Sequence, residues 1–292
     1  MAAMILLGYM LKRLGVFRTE DAKVLSKIII HVTLPAALMN SFREFHFESD
    51  YFSMIAISAF CNASLMFFGL WLARKKDMSE KALYSMNLSS YNIGCFMLPV
   101  AQGLLLPEAV VAASMFDAGN CPFNSGISYA LVSAGGQGES VRPGFVVNKL
   151  LHSVPFMSYL ILMTMNLLHI HLPDEVYEVT AGIGGANTIM AMLMIGILFE
   201  VRVQAESRKK IASILLLRYS CNLIFAGIVW LLPLSLLLRQ VAVLIILAPV
   251  PSVTMVYCEK CGCKSEEYGA INSLSIAISL VLTFLIIPIF LT

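Results

Sequence analysis

The chain has 292 residues, 59% hydrophobic and 13% charged, with a net charge of +2. So apolar a composition excludes an ordinary soluble domain, and so small a net charge gives no basis for a nucleic-acid partner. The composition is that of an all-α polytopic membrane protein whose first partner is the lipid bilayer.

About 20 residues of helix cross the roughly 30 Å of bilayer hydrocarbon. On that measure the apolar runs predict ten spans, near 2–14, 24–42, 51–73, 82–105, 108–133, 146–169, 175–199, 211–233, 239–257 and 267–291. The first is short, with about 16 Å of helix before Lys12. It ends in Lys12 and Arg13 without a preceding basic region or an A-x-A-like site, so it is expected to be retained rather than cleaved as a signal.

Of the 20 Lys and Arg residues, all but Arg43, Arg239 and the intra-span Arg218 fall in loops that follow odd-numbered spans. Cytoplasmic loops gather basic residues, so those loops are predicted to be cytoplasmic and both termini external, in the cytoplasmic (plasma) membrane.

Between spans five and six lies AGGQGESVRPG, Ala134 to Gly144, flexible by composition. This connector separates residues 1–133 from 145–292, each holding five spans. An odd number of spans makes the halves run in opposite directions, so repeats would be inverted. Traces of repetition exist: CNASLMFFGLW (Cys61 to Trp71) in span three and CNLIFAGIVW (Cys221 to Trp230) in span eight each open on Cys-Asn and close on one of the two Trp residues.

Span four is interrupted at Asn92, Gly94 and Pro99, and span nine by APVPSV, Ala248 to Val253. Proline removes a backbone donor and crowds the carbonyl one turn earlier. Lipid cannot satisfy the freed groups, so the breaks are expected to face a cavity. Paired breaks in corresponding positions point to a carrier's midplane site, where half-helix N-termini offer N–H groups to an anion.

Inside the spans, Asp117 lies about 13 Å into its helix from Glu108, and an intramembrane carboxylate is a functional candidate. With Asn120 it is expected to bind a coupling proton or cation. Asn92 offers donors and an acceptor beside the span-four break. Arg218 either grips a substrate anion with its planar fork or snorkels to the headgroups. Asn62, Asn187, Asn222 and Asn272 are expected to make interhelical hydrogen bonds.

Seven cysteines, an odd set mostly within apolar runs, imply no disulfide framework. CEKCGC, Cys258 to Cys263, has zinc-like spacing without a fourth ligand nearby, so no metal site and no cofactor are expected. His169 and His171 are read as boundary residues.

The chain resembles the auxin efflux carrier family, which includes bacterial malate and malonate permease-like members. The resemblance is carried by Gly8 to Met39 (GYMLKRLGVF, then EDAKVLSKIIIHVTLPAALM), YNIGCFMLP (Tyr91 to Pro99), FDAGN (Phe116 to Asn120) and LAPVPSV (Leu247 to Val253). It implies ten transmembrane helices as two inverted five-helix repeats, with broken helices four and nine crossing. It also implies a scaffold of helices 1, 2, 6 and 7, a transport unit of helices 3–5 and 8–10, a homodimer and elevator-like movement.

No G-x-x-x-x-G-K-[ST] motif is present, so transport energy must come from ion gradients. An intramembrane protease is disfavoured, because FNSG (Phe123 to Gly126) lacks the first Gly of G-x-S-x-G and only one Asp is deep. The expectation is a secondary active carrier of a small organic anion, proton- or sodium-coupled. Substrate would meet Asn92, Gly94, Pro99, Pro249, Pro251, Ser252, Arg218 and Asn222, and the coupling ion Asp117 and Asn120. The alternative is a passive channel or sensor on the same scaffold.

Overall fold

The computed structural model describes all residues except 44, 46, 47, 138–142, 200–203 and 292. Among the described residues the regular structure is helical: α1 Ala2–Arg13, α2 Asp21–Ile28, α3 Leu34–Phe42, α4 Tyr51–Leu72, α5 Met78–Leu88, α6 Leu98–Leu104, α7 Pro107–Pro122, α8 Ser128–Gln137, α9 Pro143–Leu151, α10 Val154–Leu167, α11 Asp174–Leu198, α12 Arg208–Trp230, α13 Leu236–Ile246, α14 Val253–Lys260 and α15 Ser265–Leu291. Five continuous helices are long and apolar enough to cross a membrane: Asp21–Phe42, Tyr51–Leu72, Asp174–Leu198, Arg208–Trp230 and Ser265–Phe290. The chain is a multi-pass membrane protein.

Local chemistry explains many of the boundaries. Asp77 caps α5 by accepting the Glu80 N–H at 2.9 Å, and Ser235 caps α13 through the Leu238 N–H, as short oxygen-bearing side chains do at helix starts. Proline opens α7 and α10, where its missing N–H has no helical partner to lose.

Three π turns, Ile29–Thr33, Ile93–Met97 and Phe123–Ile127, interrupt the α ladder. The first two run directly into Leu34-Pro35 and Leu98-Pro99. A proline cannot accept the ordinary register with the carbonyl four residues back, and the wider turn accommodates it.

Three boundaries differ from expectation. The fifth predicted span, 108–133, is not one rod: it bends at Phe123–Ile127, where Gly126 takes φ +118°, a conformation that glycine adopts without a Cβ penalty. The sixth, 146–169, arrives as α9 and α10 with a break at His152 and Ser153, where Ser153 is extended and serves as the N-cap of α10. Of the Gly-rich connector, 134–137 continue α8 and 143–144 open α9, while 138–142 lie outside the described residues. Arg142 and Arg202 of the basic loops also lie outside them.

Two groups of helices emerge from the packing. α1, α2, α3, α10 and α11 pack on one another, and α4, α5, α6, α7, α12, α13, α14 and α15 form a second group. They meet chiefly where α3 and α10 touch α7 and where α11 touches α6. In lipid there is little hydrophobic force between helices, so close backbone approach at small residues does much of the work. α1 is only 12 residues long, yet it is held against α11 by two reciprocal glycines. A Cβ on Gly8 would strike the Leu193 carbonyl, and one on Gly196 would strike that of Ile5.

Gly196→Ala is therefore expected to destabilise the protein by about 1–3 kcal/mol, the usual cost of overpacking, seen as a lower unfolding midpoint in detergent. Gly227→Ala, where an added Cβ meets nothing within 4 Å, should leave the midpoint unchanged or slightly raised.

Candidate functional site

Both predicted breaks exist, and they meet. α5 ends at Leu88, the chain is non-helical from Ser89 to Asn92, with Ser89 extended and Ser90 left-handed at φ +66°, and helix resumes at Ile93. α13 ends at Ile246, and helix resumes at Val253 after the prolines. The Asn92 N–H donates to the Pro249 carbonyl at 2.9 Å, joining the two breaks. In span four the unwinding precedes the expected place: Gly94 and Pro99 lie within the resumed helix. Pro99 needs only the π turn, whereas the Ser89 and Ser90 backbone has partners outside the helix.

Arg218 supplies most of those partners. Its side chain is fully buried. Nη1 donates to the carbonyls of Asn87 at 2.9 Å and Leu88 at 2.8 Å, and more weakly to Ser89 at 3.3 Å. Nη2 donates to Ser90 at 2.7 Å and to Ala248 at 3.1 Å. One guanidinium thus ties the carbonyl end of α5 to the carbonyl end of α13. This corrects the snorkelling expectation, since the side chain has no exposed surface. It also redirects the anion-gripping one: both Nη groups are engaged by protein, and only Nε is without a partner.

Asparagines hold the non-helical segments. Asn62 Oδ1 accepts the Ser90 N–H at 2.7 Å. Asn120 pairs with both backbone groups of Tyr91, accepting its N–H at 3.0 Å and donating to its carbonyl at 2.9 Å. Across the crossing, Asn272 donates to the Val250 carbonyl at 2.9 Å, Ser275 Oγ accepts the Val250 N–H at 3.1 Å, and Ser279 donates to Leu247 at 2.7 Å. α7 therefore braces the first break as α15 braces the second. Asn222 Oδ1 accepts the Tyr91 hydroxyl at 3.4 Å, and its Nδ2 has no partner. The Tyr91 ring lies 5.3 Å from the Arg218 guanidinium carbon, within cation–π range.

Asp117 is 4% exposed and joins this network through Asn120, whose Nδ2 donates to Oδ1 at 2.9 Å. Its other oxygen accepts the Tyr159 hydroxyl at 2.7 Å. Tyr159 belongs to α10 and Asp117 to α7, so the carboxylate spans the boundary between the two helix groups. Sequence reasoning missed Tyr159, because a tyrosine in an apolar helix is unremarkable until its partner is known.

Two cavities adjoin the network. One of about 10 Å³, lined by Ser90, Asn124, Val253 and Thr254 among others, has room for roughly one water; Asn124 Oδ1 is buried there without a partner. The other, of about 420 Å³, lies between α3, α6 and α11 with Asn40, Ser41, Gln102 and Thr188 in its wall. Beside it Asn187 accepts from Thr33 at 2.8 Å and donates to Gln102 at 2.6 Å, and Thr188 donates to the Pro99 carbonyl at 3.1 Å. Pro249 and Pro251 are buried and Ser252 partly so; Ser252 is the N-cap of α14 without a side-chain cap.

Among the described residues there is no cluster of three or more His, Cys, Asp or Glu able to hold a metal.

Arg218→Met should cost more than about 3 kcal/mol, since buried carbonyls lose their donors. Arg218→Lys should recover little of this, because one ammonium lacks the fork that reaches both chain ends. Unfolding midpoints of the two variants in detergent check this.

No family model matches the chain. It is similar to an "Uncharacterized transporter" of Methanothermobacter thermautotrophicus, 25% identical over 211 residues that cover 70% of this chain and 67% of that protein. That similarity supports a membrane transporter in general, and leaves family, substrate and coupling to be argued from the site.

Proposed function

We propose that the chain is a secondary active carrier of a small organic anion, a carboxylate such as malate or malonate, coupled to a proton or sodium ion. The observation that carries this reading is the charge balance at the crossing. Each helix end carries about half an elementary charge, negative at carbonyl ends and positive at N-termini. Arg218 offsets the two carbonyl ends that it ties together. The N-termini at Ile93 and Val253 keep their positive potential, while the Ile93, Thr254 and Met255 N–H groups donate to the carbonyls of Tyr91, Pro251 and Ser252. Unpartnered donors at Arg218 Nε and Asn222 Nδ2 add to that. Such an environment favours a carboxylate over a cation.

Asp117 is the group suited to coupling. An anionic Asp117 opposes a second anion nearby, so a proton or cation arriving there favours substrate binding. Substrate contacts are assigned to Asn92, Gly94, Pro99, Pro249, Pro251, Ser252 and Asn222, with Arg218 acting through its unpartnered Nε and through the helix ends that it positions. Coupling is assigned to Asp117 and Asn120, joined by Tyr159.

The similar bracing of the breaks by Asn120 and Asn272 supports two inverted five-span repeats in an auxin efflux carrier-like fold. The separate packing of α1–α3 with α10 and α11 supports a scaffold against which the remaining helices move in an elevator-like cycle. The cavity of about 420 Å³ at their boundary is taken as the external vestibule. A homodimer through the scaffold, both termini outside and residence in the cytoplasmic membrane complete the proposal.

Proteoliposomes test it. Radiolabelled malate or malonate should accumulate against its gradient when an inward proton or sodium gradient is imposed. Equilibration indifferent to either gradient would instead favour a passive channel. Asp117→Asn is expected to abolish gradient-driven accumulation while the protein still elutes as a folded species. Uptake in that variant equal to the parent's would remove Asp117 from the coupling role.

A further inference from the structure

The C-terminal end of α14 brings two thiols together away from the crossing itself. The Cys263 N–H donates to the Cys258 carbonyl at 3.0 Å and the Gly262 N–H to that of Glu259 at 3.0 Å. Gly262 stands at φ +77°. This is the Schellman ending, in which the side chains of the third-last helical residue and of the residue after the glycine come into contact. Cys258 and Cys263 occupy those two positions, which sets their side chains beside each other.

The pair is anchored on α5 at both ends. Asn87 Nδ2 donates to Cys258 Sγ at 3.5 Å, and Cys263 Sγ donates to the Ser79 carbonyl at 3.2 Å. A thiol that merely fills space sits among apolar atoms, whereas this pair links a half of each broken helix through directed bonds. Cys258 is fully buried, and Cys263 keeps 9% of its surface, so a water-sized oxidant meets Cys263 first.

We propose that Cys258 and Cys263 form a reversible oxidation site, taking a peroxide as oxidant and a dithiol as reductant. The Cys263 sulfur attacks one peroxide oxygen, the O–O bond breaks, and a sulfenic acid and one water result. The Cys258 sulfur then attacks the Cys263 sulfur, forming the S–S bond and expelling the sulfenic oxygen as a second water. Both thiol hydrogens leave in the waters, the two sulfurs are oxidised and the peroxide is reduced. Oxidation removes both S–H donors, so the Ser79 carbonyl loses its bond to Cys263 and the tie between α14 and α5 is altered.

The site is tested on the intact chain in lipid nanodiscs, independently of any transport assay. After exposure to hydrogen peroxide, remaining thiols are alkylated with N-ethylmaleimide and the protein is digested for mass spectrometry. Cys258 and Cys263 should escape alkylation and be joined, with a mass lower by about 2 Da, and dithiothreitol should restore both thiols. Cys263→Ser should abolish the linkage, and Cys261→Ser should retain it. Two alkylated thiols after peroxide, a disulfide that uses Cys261, or oxidation that dithiothreitol fails to reverse would each overturn the proposal.

Discussion

A helix unwound within hydrocarbon must find donors for its carbonyls from protein, because lipid offers none. Arg218 meets that requirement for both broken spans at once, reaching four consecutive carbonyls from Asn87 to Ser90 and a fifth at Ala248. A buried cation is normally matched by a carboxylate, yet here the counter-charge is the sum of two helix ends. The crossing is thereby held without a fixed acid, and an acid elsewhere in the network is left for other work.

That acid is Asp117, and its hydrogen bonds reach both helix groups. Through Asn120 it is tied to the backbone of Tyr91 in the first break, and through Tyr159 to the neighbouring helix group. One carboxylate is therefore bonded toward the first break and across the boundary between the groups. Two further polar contacts, Asn187 to Gln102 and Thr188 to Pro99, cross the same boundary. These are hydrogen bonds between neutral groups, individually modest.

The thiol pair belongs to a different layer of the same design. Cys258 accepts from Asn87, and the Asn87 carbonyl is one of those gripped by Arg218. Chemistry at the end of α14 is thus separated from the crossing by a single residue, although the two sites share no side chain of their own.

Much of this was legible in the residues. Apolar runs at membrane length located the helices, and Pro249 and Pro251 marked the second break where it lies, because proline acts on its own backbone. Asp117 and Asn120 stood out because hydrocarbon makes every polar group conspicuous. Pro99 misplaced the first break by several residues, since a π turn absorbs a proline that sequence alone reads as an interruption.

The sequence by itself determined that the chain carries long apolar helices suited to a membrane and which polar residues lie within them, properties set by local composition and by the cost of burying unsatisfied groups. The tertiary structure alone decided which of them meet. Arg218 and Ala248 are 30 residues apart, Asp117 and Tyr159 are 42 apart, and Arg218 and Asn87 are 131 apart. No local pattern encodes those pairings. They arise from how whole helices pack, and packing is a property of the assembled bundle.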